Sequence, residues 1–279
     1  VTRDVAEGWT PKLVALDIDG TLFGAGHGTG VVTEEISPAV RAAVDKVVAA
    51  GVPVVLSTGR STFSITGVLE MLGLPRGRDE QVLAVASNGS VTFSYPPVEI
   101  LTTETFDASE VVRLLLEHVP DARVAVEEIG VGYRLNRLFP EGEIDGHMTV
   151  QTLDELVAEP VTRVIIRDPD ASEEDFVHLA EKVGLHGINY FIGWTAWLDL
   201  APADVSKASG LTSVCARLGV DASDVLAIGD GRNDIEMLQW AGRGVAMGQA
   251  TLSVQEAADD VTDAVEDDGV ARELGRWFP

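Results

Sequence analysis

The stretch Lys12-Leu13-Val14-Ala15-Leu16-Asp17-Ile18-Asp19-Gly20-Thr21-Leu22 decides how the rest of the chain is read. An unbroken apolar run closed by an aspartate is the pattern of a short strand buried on both faces of a parallel sheet. Two residues apart on an extended strand end, Asp17 and Asp19 project in the same sense, so both carboxylates can reach one ligand. Gly20 then lets the chain turn sharply and leaves room beside the acids.

Outward from this strand the rhythm repeats. After the glycine-rich loop Gly24 to Gly30, Ser37-Pro38 opens a helix that runs to about Ala50, with serine as N-cap and proline at the first helical position, and Gly51 closes it. Val52 to Leu56 reads as a second buried strand, followed by Ser57-Thr58-Gly59-Arg60 and a helix to about Leu72. Val82 to Ala86 is a third, ending in Ser87-Asn88-Gly89. The order βαβαβ implies a parallel sheet with right-handed crossovers.

Beyond Asn88 the pattern changes. Val91 to Tyr95 and Val98 to Thr102 flank Pro96-Pro97 as a hairpin, and Asp107-Ala108-Ser109-Glu110 reads as a capping box opening a helix through His118. Strand-like segments follow at Val124 to Glu128, Gly132 to Leu135 and Val161 to Ile166, then a helix from Ser172 to about Val183, then strands near Asn189 to Ile192 and Trp197 to Leu200. This is the texture of an α+β insert with an antiparallel sheet. From Ser206 the α/β rhythm returns with a helix to Leu218, a strand Val225 to Ile228, a helix from Asp234, a short strand Gly244 to Ala246 and two more helical stretches. Residues 1–100 and 201–279 are therefore expected to form one discontinuous core domain, with 101–200 inserted into it.

Composition narrows the partners. The 279 residues carry 45 acidic against 20 basic side chains, a formal net charge of −25, while 46% are hydrophobic, so the chain folds and is not intrinsically disordered. Nucleic acid and anionic membrane surfaces demand clustered cations and are excluded as partners. An anionic small molecule is repelled by the long-range field, so a local cation must create the attraction, and a metal ion is the obvious one. Lysine occurs only at Lys12, Lys46, Lys182 and Lys207, which makes Lys207 conspicuous within a motif. The single cysteine, Cys215, excludes an intrachain disulfide and a cysteine zinc site, reads as part of a buried helix face, and fits a reducing cytoplasm. No apolar run approaches the roughly 18 residues of a membrane span, and the first residues lack a signal-peptide apolar region, so a cytoplasmic location is expected.

Three polar clusters fall directly after apolar strands: Asp17 to Leu22, Ser57-Thr58-Gly59-Arg60, and Gly229-Asp230-Gly231-Arg232-Asn233-Asp234. In an open parallel sheet the carboxyl ends of the strands line one edge, where ligands bind. A lone aspartate after a strand is ordinarily a turn or cap residue. Four carboxylates with a hydroxyl and a lysine instead suggest a hard-cation site with oxygen ligands, suited to Mg²⁺. One carboxylate of the first cluster can serve as nucleophile beside the metal while the other shuttles a proton. Thr58 can offer its hydroxyl and neighbouring amides to a phosphoryl oxygen, Lys207 can neutralise developing charge, and Asp230 can complete the metal site. Metal-assisted phosphoryl transfer is the chemistry these residues suggest.

With these residues in view, a resemblance is plain. Asp17-Ile18-Asp19-Gly20-Thr21-Leu22 resembles motif one of the haloacid dehalogenase (HAD) superfamily, Ser57-Thr58-Gly59-Arg60 motif two, Lys207 in Val205-Ser206-Lys207-Ala208-Ser209 motif three, and Gly229 to Asp234 motif four. Ser87-Asn88-Gly89-Ser90, Val245-Ala246-Met247-Gly248 and Asp268-Gly269-Val270 are similar to Cof-type phosphatases of subfamily IIB. The resemblance implies an α/β fold: a Rossmann-like parallel-sheet HAD core with an inserted α+β cap domain that closes over the site. It implies that Asp17 attacks phosphorus to give an aspartyl-phosphate, and that Asp19 protonates the leaving oxygen and then activates water. Mg²⁺ would be held by Asp17, the backbone carbonyl of Asp19, and Asp230. Thr58, Gly59, Lys207 and Asn233 would bind the phosphoryl group, with Asp234 orienting Lys207, or alternatively ligating the metal directly. The implied partner is a small phosphorylated metabolite, with sugar phosphates the class to expect. Phosphomutase or phosphotransferase chemistry, and a non-catalytic phosphometabolite sensor, are the competing readings.

Other features carry blander expectations. Tyr190, Phe191, Trp194 and Trp197 read as cap packing rather than a sugar-binding face, and His147 and His186 as surface or core histidines. Ala208 stands where the family commonly has glycine. Gly24 to Gly30 reads as a tolerated surface insertion, and Asp259-Asp260 and Glu266-Asp267-Asp268 as solvated faces.

Overall fold

The computed structural model describes residues 8–24, 34–77, 79–183, 188–193 and 197–279. The chain runs β1 (Leu13–Leu16), α1 (Pro38–Ala49), β2 (Val54–Ser57), α2 (Thr62–Met71), β3 (Val82–Ala86), β4 (Val91–Tyr95) and β5 (Glu99–Thr103). Next come α3 (Ser109–Leu116), β6 (Arg123–Glu128), β7 (Gly132–Leu135), β8 (His147–Val150), α4 (Leu153–Leu156), β9 (Val164–Arg167), α5 (Glu173–Val183), β10 (Ile188–Gly193) and β11 (Trp197–Pro202). It ends with α6 (Lys207–Leu218), β12 (Val225–Gly229), α7 (Ile235–Trp240), β13 (Arg243–Ala246), α8 (Leu252–Ala257), β14 (Asp260–Val261) and α9 (Gly269–Trp277).

Two sheets organise these elements. The first has eight strands in the order β14-β13-β12-β1-β2-β3-β4-β5. Its pairs from β14 to β3 are parallel, and β4 and β5 extend it antiparallel. β1 lies at the centre with Leu13, Val14, Ala15 and Leu16 all at 0% exposure, as a strand covered on both faces must be. Val14 and Leu16 pack with α1 and α9 residues such as Val44 and Leu274. Leu13 and Ala15 pack on the other face with Leu211, Val214 and Cys215 of α6. The second sheet has six strands, β10-β11-β9-β6-β7-β8, antiparallel except for the parallel β7·β8 pair.

Local chemistry sets the helix ends near the site. The Ser37 hydroxyl accepts from the Val40 amide at 3.1 Å with Pro38 in the first turn of α1. Ser61 caps α2 through the Ser64 amide at 3.4 Å. Ser206 and Ser209 form a reciprocal cap at the start of α6, which fixes Lys207 as its first residue, and Gly219 ends that helix at φ +68°.

Several expectations are corrected. The hairpin around Pro96-Pro97, most of it within the residues expected in the core, extends the eight-stranded sheet as β4 pairs with β3 along Val82 to Ala86 and β5 follows to Thr103. Asp107 does not open a capping box: its carboxylate accepts from the Ser109 amide two residues on, an Asx turn, while the N-cap position falls on Ala108 with no side-chain bond. A short 3₁₀ turn spans Arg232–Asp234, so α7 starts at Ile235 rather than Asp234. β8, α4 and β14 lacked a readable signal, being two to four residues long. The acidic runs are more than solvated faces: Asp260 binds Arg243 and Arg276, Asp259 accepts from the Gly244 amide, and Asp268 accepts from the Ser37 hydroxyl. Cys215 is buried. Trp197 packs edge-on against Phe139 at 6.0 Å, an ordinary packing role, whereas Tyr190 is 37% exposed and His147 is exposed. Trp194, His186 and most of the Gly24 to Gly30 loop lie outside the described residues. Among the described residues no helix is long and apolar enough to cross a membrane.

Candidate active site

β1, β2, β3 and β12 are adjacent and parallel, so the residues just past their carboxyl ends converge on one edge of the sheet. Asp17 follows β1, Thr58 and Gly59 follow β2, Asn88 follows β3, and Asp230 follows β12. Lys207 enters from the start of α6 and is fully buried. Its ammonium donates to Asp17 Oδ1 at 2.7 Å and to Asp234 Oδ1 at 2.6 Å. Carboxylate oxygens of Asp17, Asp230 and Asp234 lie within 4.8 Å of one another.

The electrostatics of this cluster are unbalanced. Three buried carboxylates face one ammonium, so the group carries surplus negative charge in a low-dielectric setting. Burial is the main reason that the Asp17 carboxyl is held well above its ordinary range; Asp234 adds to this, and Lys207 opposes it. Burial followed by repulsion from Asp234 pushes Asp230 up to about 7. The two acids hold Lys207 as an ammonium, well above its ordinary range despite burial. A divalent cation among these oxygens would offset the surplus negative charge of the carboxylates. Gly20 (φ +77°) sets the place of one of these acids: a Cβ there would sit 2.0 Å from Asp230 Oδ2, so only glycine lets that carboxylate stand where it does.

The acids are not equivalent. One Asp234 oxygen accepts from Lys207, and the other from the amides of Asp230 at 3.0 Å and Gly231 at 2.9 Å. Both are committed to holding the lysine and the loop, which favours an orienting role over direct ligation. Among the described residues the Asp230 carboxylate accepts at 3.4 Å from Gln249, whose amide also donates to the Gly20 carbonyl at 2.5 Å. Asp19 is outside this close group, its two oxygens gripped by Arg60 Nη2 and Nε at 2.7 and 2.9 Å. Arg60 also binds Glu34 at 2.7 Å and lies 5.2 Å over the Phe23 ring.

The phosphoryl-binding candidates are placed by backbone bonds. Thr58 donates its amide to Val85 and accepts from the Asn88 amide through its carbonyl, 3.0 Å in each case, and its hydroxyl accepts from the Arg60 amide. A Cβ on Gly59 would lie 3.1 Å from Asn88 Oδ1, so the two loops touch there. Asn233 donates from Nδ2 to Asn88 Oδ1 at 2.9 Å. Ala208, buried in the first turn of α6, leaves the lysine's helix regular.

The geometry therefore gathers Asp17, Thr58, Gly59, Lys207, Asp230, Asn233 and Asp234, and sets Asp19 beside them on Arg60. Sequence reasoning gave no role to Arg60, Asn88 or Gln249. Arg60 and Asn88 stood inside quoted strand-end clusters and were open to such an assignment. Gln249 had no signal beyond its place after Gly248.

Comparison with known proteins fits this arrangement. A family model described as haloacid dehalogenase-like hydrolase matches residues 14–274. A phosphoglycolate phosphatase of Natronomonas pharaonis is 30% identical over 263 residues, covering 94% of this chain and 96% of the relative. A 5-amino-6-(5-phospho-D-ribitylamino)uracil phosphatase of Bacillus subtilis is 29% identical over 273 residues, with 95% of each covered. Among solved structures, a haloacid dehalogenase-like hydrolase from Bacteroides thetaiotaomicron superposes with a TM-score of 0.75 at 25% identity, covering 96% of this chain and 100% of that one. A subclass IIB sugar phosphatase shares the fold, with a TM-score of 0.78 at 20% identity over 95% of this chain and 98% of that one. The chain belongs to the haloacid dehalogenase-like hydrolases, and it shares its fold with that subclass IIB sugar phosphatase.

Proposed function

We propose that this hydrolase is an Mg²⁺-dependent phosphatase of small phosphorylated metabolites that works through an aspartyl-phosphate. The observation that carries the reading is Asp17, held by Lys207 beside Asp230, with Asp19 two residues on and outside the carboxylate cluster. Asp17, the Asp19 carbonyl and Asp230 would hold the ion, which neutralises charge on the phosphoryl oxygens and on the nucleophile when bound.

An Asp17 oxygen forms a bond to phosphorus as the ester P–O bond breaks, and the leaving oxygen takes a proton from Asp19. A water then gives its proton to Asp19 and attacks phosphorus, which frees inorganic phosphate and restores Asp17. Lys207 stays charged throughout and offsets the negative charge of the group in flight, while Thr58, Gly59 and Asn233 fix its orientation. Asp234 keeps Lys207 aimed at the nucleophile. The similar phosphoglycolate and ribitylaminouracil phosphatases act, by their names, on small phosphate monoesters. That supports a metabolite substrate, with sugar phosphates the first class to try.

The test is phosphate release from an aryl phosphate, with Mg²⁺ or with chelator, by wild type and Asp17→Asn, followed by phosphosugars and phosphoglycolate. Turnover is expected to require the metal and to fall roughly a thousandfold or more in the variant. A wild type inert toward every ester would overturn the reading. Stoichiometric transfer to a sugar hydroxyl instead of water would replace it with phosphotransferase chemistry.

A further inference from the structure

Glu127, the penultimate residue of β6, is 5% exposed, yet among the described residues both direct donors to its carboxyl belong to the other sheet's connections, one at the start of α2 and one in the turn after β3. One oxygen accepts from the Thr62 amide in the first turn of α2 at 3.2 Å, and the other from the Ser87 hydroxyl. Its own sheet supplies the setting. Glu127 stands opposite Tyr133 in the β6·β7 register, and Arg163 stands nearby with its Nε and Nη2 committed to Asp199 at 2.7 and 2.9 Å and its Nη1 to Tyr133. Burying two carboxylates around one guanidinium is costly, and an apolar side chain in place of Glu127 would seal the seam with less penalty. What the carboxyl adds is direction.

One of the residues it grips, Ser87, is strained, and both adjoin the site. Ser87 and Asn88 are consecutive non-glycine residues at φ +51° and +55°, a left-handed conformation that persists only where the surroundings impose it. Three bonds impose it here: the Ser87 amide to the Arg60 carbonyl at 2.9 Å, the Asn88 amide to the Thr58 carbonyl at 3.0 Å, and the Ser87 hydroxyl to Glu127. Asn88 in turn receives Asn233. On the other side, Thr62 lies two residues past Arg60, which holds Asp19. One carboxyl thus touches the segments that lead to Asn233 and to Asp19.

We infer that Glu127 is a positioning residue: it ties the loop after β2 to the turn after β3, and so fixes Thr58, Asn88 and Asn233 around the phosphoryl group. This rests on the phosphatase reading for its effect on turnover, but not for its effect on the loops.

The experiment compares wild type with Glu127→Ala, Glu127→Gln and Ser87→Ala by two readouts. The first is amide hydrogen exchange of peptides covering residues 57–64 and 86–90. The second is turnover of an aryl phosphate with Mg²⁺, together with competitive inhibition by inorganic phosphate. Glutamine can accept from Thr62 and donate to the Ser87 oxygen, so it should rescue. In Glu127→Ala, exchange should accelerate about tenfold in those two segments and stay unchanged in β1 and α6. Its kcat/KM and its affinity for inorganic phosphate should each fall about tenfold or more. Ser87→Ala should loosen 86–90 more than 57–64, and Glu127→Gln should stay within about threefold of wild type on every measure. Unchanged exchange in Glu127→Ala, or loosening spread evenly over the molecule, overturns the inference, as does normal inhibition by phosphate with only the melting temperature lowered. Should wild type hydrolyse no ester while exchange responds as expected, the phosphatase reading fails and the positioning of the loops stands.

Discussion

Arg60 shows how one side chain can set the chemistry of another. Its planar fork meets both Asp19 oxygens, and its remaining nitrogen is anchored on Glu34, so Asp19 has one orientation rather than several. A lysine keeps the charge but cannot hold two oxygens in one plane. Arg60→Lys is therefore expected to lower kcat by about tenfold to a hundredfold, within the range general acid–base catalysis contributes. The loss should be larger for an alkyl phosphate than for a nitrophenyl phosphate, because only the poor leaving group needs the Asp19 proton. Equal losses on both esters would show that Arg60 acts elsewhere, on the phosphoryl group or on the fold.

At the scale of elements, close approach between strand-end loops dictates glycine. The Gly20 Cβ position is filled by Asp230, and Gly89, at φ +104°, would place a Cβ 2.0 Å from the Ser206 carbonyl at the mouth of α6. Gly89→Ala should thus push α6 outward and move Lys207 with it. The expected cost is about 2 kcal/mol or more of stability together with loss of turnover, measured by denaturant unfolding and by phosphate release. A stable, active Gly89→Ala would mean that the turn after β3 does not set the lysine. These contacts also explain what could be read beforehand. β1, β2, β3 and β12 are continuous apolar runs ending in polar residues, and their order forces the strand ends together, so Asp17, Thr58 and Asp230 could be gathered from sequence, while Lys207 was marked by its motif and by the scarcity of lysine. Nothing in a periodicity says that Arg60 turns back onto Asp19, or that Gln249 reaches Gly20 across 229 residues. Such pairings depend on side-chain geometry. Short elements such as β8 and α4, and the Asx turn at Asp107, were lost because two to four residues hold too little pattern to separate strand, cap and turn.

For the molecule as a whole, the carboxylate cluster ties stability to pH and metal together. Asp230 rests near 7 in the fold against an ordinary value of 3.8, so the folded chain keeps a proton that the unfolded chain gives up. Between about pH 4 and 7 the unfolded state ionises first, and the metal-free protein must lose stability as pH rises through that window. The shift of Asp17 has the same sign and adds to the loss. A net charge of −25 works in the same direction through self-repulsion. A cation held by these acids displaces the proton, so its affinity grows as pH rises toward and through 7. The midpoint of thermal unfolding should then rise with millimolar Mg²⁺ by several degrees more at pH 8 than at pH 5.5, against potassium chloride of matched ionic strength. Asp230→Asn should flatten the pH dependence of the metal-free protein and abolish the Mg²⁺ response. An increment that is equal at both pH values, or that survives in Asp230→Asn, would place the ion's effect on the general acidic surface instead of among Asp17, Asp230 and the Asp19 carbonyl.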